Sequence, residues 1–158
     1  MGDRYEPASD FLKAIVAEEV PLSDSPMAEA NIQHLITMTR DPDRSNRDWA
    51  TMLLSQSEAD TPEIRAALLA AAEDEYDGVR AEALLGIAQR DARLALPLAL
   101  KALSGDQVSM AVFEAVILIA DPMLADSVRP WTKPSDNAWL DKLAQDALAT
   151  CEGGGPIA

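Results

Sequence analysis

The sequence is poor in the residues that build disulfide frameworks and zinc sites. It contains one cysteine, Cys151, and one histidine, His34, among 158 residues. A single cysteine excludes an internal disulfide, and one cysteine with one histidine is too small a set for a Cys/His zinc site. We therefore expect no metal site and no cofactor.

Aromatic residues and long apolar runs are also scarce. Aromatics make up 4% of the chain although 48% of it is hydrophobic, so aliphatic residues carry an apolar content too high for a disordered chain. No apolar run approaches the ~20 residues of a membrane-spanning helix. The N-terminus shows no basic segment followed by an apolar one, so we expect no signal peptide and a soluble, cytoplasmic protein without a membrane partner.

Basic residues are outnumbered throughout. The chain has 13 Lys+Arg and 27 Asp+Glu, which gives a formal net charge of −14. Acids exceed bases by 12 to 5 in residues 1–60, by 8 to 5 in 61–110 and by 7 to 3 in 111–158. Binding to nucleic acid depends on clustered Lys and Arg that displace counterions. We therefore expect no nucleic-acid partner and, if the partner is a charged protein, a basic one.

Helix formers dominate the chain between short breaks that carry Pro, Gly, Asp and Ser. Thr61 is a predicted N-cap with Pro62 at the first helical position, and Gly105 and Gly153 are expected to end helices in the left-handed conformation. Residues 108–120 are rich in β-branched side chains, but their apolar spacing favours a helix. The predicted helices cover residues 8–19, 27–40, 44–56, 61–75, 78–89, 92–104, 107–120 and 136–151, with a short turn near 123–130.

The chain is self-similar along its length. Residues 77–88 (Asp-Gly-Val-Arg-Ala-Glu-Ala-Leu-Leu-Gly-Ile-Ala) align with residues 44–54 when Arg47 lies under Arg80, a spacing of 33 residues. Residues 106–115 align with the same template about one repeat further on. Each of the first two aligned helices is followed by a short polar break and a second apolar helix. A helical hairpin is therefore repeated about three times.

The segment 77–106 resembles a HEAT repeat and is most similar to the short variety found in phycobilin-lyase-type HEAT proteins. Asp-x-Val-Arg-x-x-Ala opens its first helix, and Ala-Leu-Pro opens its second. The resemblance implies an all-α fold, a short right-handed α-solenoid of antiparallel helical hairpins. In that family the Asp and the Arg bridge adjacent repeats. The resemblance thus implies bridging roles for Arg47, Asp77, Arg80 and Asp106.

These repeats predict a single α-solenoid domain over residues 1–151. A flexible tail is expected over residues 152–158. The repeats are expected at residues 43–75, 77–104 and 106–131, with atypical capping helices at 8–40 and 136–151.

The three tryptophans bear on where the array ends. Trp49 aligns with Glu82 and Ala111, at positions that tolerate water, so it is either a cap over the first repeat or an anchor for a partner. Trp131 and Trp139 are expected to pack the last helix against the end of the array.

No set of residues has the spacing of a catalytic motif, so we expect a non-enzymatic protein. The expected class is a protein-interaction module or adaptor. Such a protein binds its partner through the curved face that the second helix of each repeat forms, and through its acidic surface. A first alternative is a small acidic inhibitor, such as an immunity-type protein that neutralises a basic target. A second alternative is a lyase-type HEAT subunit that acts on a tetrapyrrole, which only the scaffold resemblance supports. The residues expected on the binding face are Glu63, Arg65, Arg93 and Lys101, with Trp49 as an anchor at one end.

Overall fold

The chain folds into helices joined by turns and loops. A computed structural model describes residues 5–153, and within this range it contains helices and turns but no strand. The predicted all-α fold class is therefore confirmed. The helices divide into two compact units, and the division falls between Ala83 and Leu84.

Nine α-helices are assigned between residues 5 and 153. Each of the eight predicted helices has a counterpart among them, and the predicted turn near 123–130 is a one-turn helix flanked by two 3-10 turns, Pro122–Leu124 and Arg129–Thr132. The helices are α1 (Asp10–Val16), α2 (Ala28–Met38), α3 (Arg44–Gln56), α4 (Pro62–Ala71), α5 (Asp77–Arg90), α6 (Ala92–Leu103), α7 (Met110–Ile119), α8 (Ala125–Val128) and α9 (Ala138–Glu152).

Side-chain caps fix where several helices begin. The Thr61 hydroxyl accepts a hydrogen bond from the Ile64 N–H at 3.2 Å, and Pro62 is the first residue of α4, which confirms the predicted helix start. Asp43 caps α3 in the same way by accepting from the backbone N–H of Ser45 at 2.8 Å. Hydrogen bonds from Ser45 and Asn46 lower the pKa of Asp43, so this cap is charged at neutral pH.

In the first unit, α1, α2 and α4 all pack against α3. The chain before α1 is tied to the start of α3, since the Ser9 N–H donates to Oδ1 of the buried Asn46 at 2.8 Å. On the neighbouring surface the rings of Phe11 and His34 stack with their centroids 3.8 Å apart. The buried apolar residues of α1 to α4 include Leu12, Ile15, Ile32, Leu35, Leu54, Ile64 and Leu68.

In the second unit, α7 packs against both α6 and α9. The indole N–H of Trp131 donates to the Leu103 carbonyl at the end of α6, at 3.1 Å, and the side chain is half-buried. Trp139 is 70% exposed, however, and the prediction that it packs the last helix is wrong. The buried core of this unit includes Leu103, Val112, Phe113, Val116, Leu124, Val128, Ala144, Ala147 and Cys151.

Two helix ends differ from the prediction. Gly153, the C-cap of α9, has a φ of −75°, and Gly105 also lies outside the left-handed region. Within residues 5–153 the left-handed positions are instead Glu18, Asp24 and Ala120, with φ values of 61°, 55° and 53°. The predicted flexible tail falls, from residue 154 onward, outside the described residues.

Candidate functional site

An open groove lies in the first unit between α2 and α4, beside the turn that joins α2 to α3. Its volume is about 630 Å³. We call it the α2–α4 groove. It is lined by Gln33, Ile36, Thr37, Arg40, Asp41, Pro42, Glu63, Ala66 and Ala67.

The groove combines apolar and polar lining in the manner of a protein interface. Ile36 is half-buried and Ala67 is 6% exposed, and together with the exposed Pro42 and Ala66 they give an apolar surface. The remaining lining residues are polar or charged. Surfaces that bind other proteins likewise combine apolar and polar residues.

The groove carries two carboxylates and one guanidinium, and of these only the Asp41 carboxylate has a hydrogen-bond partner among the described residues. The Asp41 carboxylate accepts hydrogen bonds from the Asp43 N–H and from the Asn46 side-chain amide, both at 3.0 Å. Arg40 follows the C-cap of α2, where a cation offsets the negative end of the helix dipole. Glu63 is exposed in the first turn of α4, and no Lys or Arg side chain of the described residues lies within 4 Å of it.

Of the residues expected on a binding face, only Glu63 lines this groove. Arg65 binds Asp60 through two hydrogen bonds, Nε to Oδ1 at 2.8 Å and Nη2 to Oδ2 at 2.7 Å. Arg93 and Lys101 are exposed on α6, which belongs to the second unit, and neither residue lines the groove. The groove residues of α2 carried no sequence signal of their own.

Trp49 lies beneath the N-terminal segment of the chain. Its ring stacks with that of Tyr5, with centroids 6.0 Å apart, and its indole nitrogen is buried without a hydrogen-bond partner among residues 5–153. The Tyr5 hydroxyl donates to Asp48 Oδ2 at 2.8 Å. Burial and this bond to Asp48 raise the pKa of Tyr5 to about 12. Trp49 is thus half-buried, and the Tyr5 ring covers one side of its indole.

The residues expected to bridge repeats are placed as follows. Arg47 donates from Nε to Asp74 Oδ2 at 2.9 Å, and Arg80 donates from Nη1 to the Asp74 carbonyl at 2.7 Å. Asp77 is exposed at the first residue of α5, and Asp106 is exposed in the turn before α7. The acidic residue that both arginines contact is therefore Asp74, which the repeat alignment does not mark.

A second interaction at this turn was also missed. The Arg44 guanidinium lies over the ring of Tyr76, 4.5 Å from its centroid, in cation–π geometry. The Tyr76 N–H donates to Asp74 Oδ1 at 2.9 Å. The same turn therefore receives three arginines, Arg44 on its aromatic ring and Arg47 and Arg80 on Asp74.

The negative charge is unevenly distributed along the chain. Residues 1–83 contain 18 Asp+Glu and 7 Lys+Arg, whereas residues 84–158 contain 9 and 6. Most of the described acids in the first range are exposed, and we call them the acidic surface. They are Glu6, Asp10, Glu18, Glu19, Asp24, Glu29, Asp43, Glu58, Asp60, Glu63, Glu73, Glu75 and Asp77.

The described part of the chain offers little that resembles a reactive centre. Residues 5–153 contain no group of three or more His, Cys, Asp or Glu placed to hold a metal ion. Cys151 is buried, and its burial, with Asp121 and Glu152 nearby, raises the pKa of the thiol and keeps it in its less nucleophilic protonated form. None of the helices described here has both the length and the apolar character to cross a membrane.

Comparison with known proteins identifies a structural neighbour. No protein-family model and no curated protein matches the chain. The X-ray structure of the Escherichia coli protein YibA is similar, with a TM-score of 0.61 and 21% sequence identity. The match covers 88% of this chain but 54% of YibA, so the chain spans about half the length of that protein. At this identity the likeness supports the fold and nothing more.

Proposed function

We propose that this chain is a non-catalytic protein-interaction module or adaptor of the HEAT-repeat type, and that its partner carries net positive charge. The observation that carries the proposal is the acidic surface, a set of exposed carboxylates concentrated in residues 1–83. Exposed charges of one sign steer an oppositely charged partner and raise its rate of association. Salt screens such charges, so the binding is expected to weaken as ionic strength rises.

The helical hairpin at the first predicted repeat supports the HEAT-repeat part of the proposal. Helices α3 and α4 are joined by residues 57–61 and pack against each other within the range 43–75. Arrays of such hairpins present extended surfaces for other proteins. A cytoplasmic location is part of the proposal, and the buried free thiol of Cys151 is compatible with a reducing compartment.

The uneven distribution of charge also favours the second candidate, a small acidic inhibitor or immunity-type protein. Such a protein has one basic target and covers it with one surface, and the acid excess is largest in residues 1–83. An inhibitor forms one tight complex of equal stoichiometry, whereas an adaptor joins several partners or an assembly. The two candidates therefore differ in stoichiometry and in the number of partners.

Affinity capture from the native lysate at low and high ionic strength tests the proposal. The unmodified chain is compared with a variant in which Glu18, Glu19, Glu29 and Glu58, all exposed, are replaced by Gln. We expect basic proteins to be captured at low ionic strength, to be lost at high ionic strength, and to bind the variant less. Capture of acidic proteins only, or capture indifferent to salt and to the variant, would refute the proposal. Light scattering of the purified complex then separates an inhibitor from an adaptor.

A further inference from the structure

Glu63 is the carboxylate in the α2–α4 groove that no neighbouring side chain of the described residues engages. Asp41 is held by hydrogen bonds from its own turn. Arg40 is exposed without an ion-pair partner among the described residues, so the three charged residues of the groove sum to −1. Glu63 is exposed, with no described cation within ion-pair distance. A positively charged side chain that entered the groove would therefore find one carboxylate available to it.

The apolar lining lies in the same groove as this carboxylate. Ile36 comes from α2, and Ala66 and Ala67 come from the same face of α4 as Glu63, one helical turn further on. Alanines leave room for an incoming side chain. A ligand that pairs with Glu63 can thus rest an apolar group on these residues and remove them from water.

The shape of the groove favours a protein segment as its occupant. Sites for small molecules enclose most of the ligand surface. This groove has a volume of about 630 Å³ and is largely open to solvent, so a bound small molecule would remain partly exposed. When a peptide segment of a larger protein binds in such a groove, the rest of that protein can cover the part that would otherwise stay open to solvent.

We propose that the α2–α4 groove is the docking site for a segment of a basic partner protein, in which a lysine or arginine side chain pairs with Glu63 and a neighbouring apolar side chain rests on Ile36 and Ala66. The argument for this occupant is charge complementarity. A second copy of this chain would bring a further net charge of −14 to an acidic surface, whereas a basic partner is attracted to it. The inference rests on the proposed function. It assigns the binding to the α2–α4 groove and attributes it to an ion pair with Glu63 and an apolar contact beside it.

Short random peptides displayed on phage are a suitable probe, since they require no knowledge of the natural partner. Peptides are selected on the full chain, and their affinities are measured for two variants of α4. Ala66→Trp fills the groove, and Ala70→Trp makes the same change one turn later at an exposed residue outside the lining. We expect selected peptides to carry a basic residue beside an apolar one. Ala66→Trp should weaken them about tenfold or more, and Ala70→Trp less than about twofold.

A charge reversal tests the contact with Glu63 directly. Selection on the Glu63→Lys variant should yield peptides with an acidic residue in place of the basic one, while Glu58→Lys, at an exposed acid outside the groove, should leave the preference unchanged. Glu63→Gln is the milder variant if Glu63→Lys fails to fold, and it should weaken the selected peptides about tenfold. Melting curves confirm that each variant is folded.

The outcomes separate this inference from the proposed function. Peptides that bind Ala66→Trp as tightly as the unmodified chain, selected peptides without basic residues, or no enrichment at all would each overturn the groove as the docking site. If basic proteins are still captured in a salt-dependent way, the proposed function stands and the site lies elsewhere. If neither peptides nor basic proteins bind, both fail. Self-association that Ala66→Trp abolishes would assign the groove to a second copy and overturn the inference.

Discussion

Arg47 reaches from the first turn of α3 to Asp74, and its Nε donates to Asp74 Oδ2 at 2.9 Å. The two side chains are 14% and 10% exposed, so the pair is largely removed from water. Nη1 of Arg47 also donates to the carbonyls of Asp41 and Pro42, each at 3.2 Å. The hydrogen bond to Asp74 raises the pKa of Arg47, which is charged at every accessible pH. One guanidinium thus joins the turn before α3 to the turn before α5.

Replacement of Arg47 by Ala should lower the free energy of unfolding by about 2–3 kcal/mol. The change takes the guanidinium away from Asp74 Oδ2 and from two carbonyls, while Asp74 Oδ1 keeps the hydrogen bond from the Tyr76 N–H. A nearly buried carboxylate that loses its counter-charge costs more than the bond contributed. Urea unfolding followed by circular dichroism measures the change. Arg93→Ala, at an exposed arginine, is the control and should shift the value by less than about 0.5 kcal/mol.

The pair can be isolated from the other contacts of Arg47 by a double-mutant cycle with Asp74→Ala. We expect a coupling energy of about 1 kcal/mol or more, because both groups are shielded from solvent and the hydrogen bond is charge-assisted. A coupling energy near zero would contradict the role assigned to the pair.

Arg80→Ala is expected to have a smaller effect, about 1 kcal/mol. Arg80 contacts Asp74 through the main-chain carbonyl, at 2.7 Å, so its loss removes a hydrogen bond but leaves the Asp74 carboxylate paired with Arg47. The melting temperature should fall, while capture of basic partners should remain, since Arg80 is not part of the α2–α4 groove. An unchanged melting temperature would count against the repeat alignment that places Arg80 under Arg47.

The helices could be predicted because their signals are local. Thr61 and Pro62 mark the start of α4 with a side-chain oxygen and a missing N–H, both of which act within one turn. In residues 108–120, helical spacing outweighed β-branched content, and the structure has α7 there. Spacing decides because it determines which side chains reach the core together, and Val112 and Val116 are both buried.

The site residues were harder to predict because they depend on how separate segments meet. The repeat motif predicted a bridging role for Asp77. In the structure the acidic partner of Arg47 is Asp74, three residues earlier in the turn before α5. The α2–α4 groove brings Ile36 close to Ala66, thirty residues further along the chain, and no local pattern marks such a pairing. Trp139 is apolar and helical, but the rotation of α9 about its own axis leaves it exposed.

The end of α1 is a place where a substitution should stabilise the chain. The Glu19 N–H bonds to the Ala14 carbonyl and the Glu18 N–H to the Ile15 carbonyl, both at 2.9 Å, which is the Schellman arrangement. Glu18 occupies its left-handed position with a φ of 61°, where glycine is unstrained. Glu18→Gly should therefore raise the free energy of unfolding by about 1 kcal/mol, measured by urea unfolding.

Glu19→Gly is the matched control for this substitution. Both glutamates are exposed and carry the same charge, but Glu19 is not among the residues with positive φ. Its replacement by Gly adds freedom to the unfolded chain without relieving strain, so we expect no gain or a loss of about 0.5–1 kcal/mol. Equal effects of the two substitutions would show that charge, and not backbone conformation, determines the result.

Tyr5 gives a prediction about alkaline pH. Burial and the hydrogen bond to Asp48 raise its pKa from 10.0 to about 12 in the folded chain. As the pH rises past 10, the unfolded chain loses the Tyr5 proton while the folded chain keeps it, so the unfolded state gains relative stability. The contribution of Tyr5 to folding is therefore complete below pH 10 and is lost as the pH approaches 12.

Ultraviolet titration of phenolate absorbance measures this pKa in a Tyr76→Phe background, where Tyr5 is the sole tyrosine. Phenylalanine preserves a ring beneath Arg44, so the surrounding turn should be retained. Asp48→Ala removes the acceptor of the Tyr5 hydroxyl and a nearby negative charge, and both losses should move the Tyr5 pKa back toward 10.0. Ionisation of Tyr5 near its ordinary pKa before Asp48 is changed would mean that its hydroxyl is not held by Asp48 in solution.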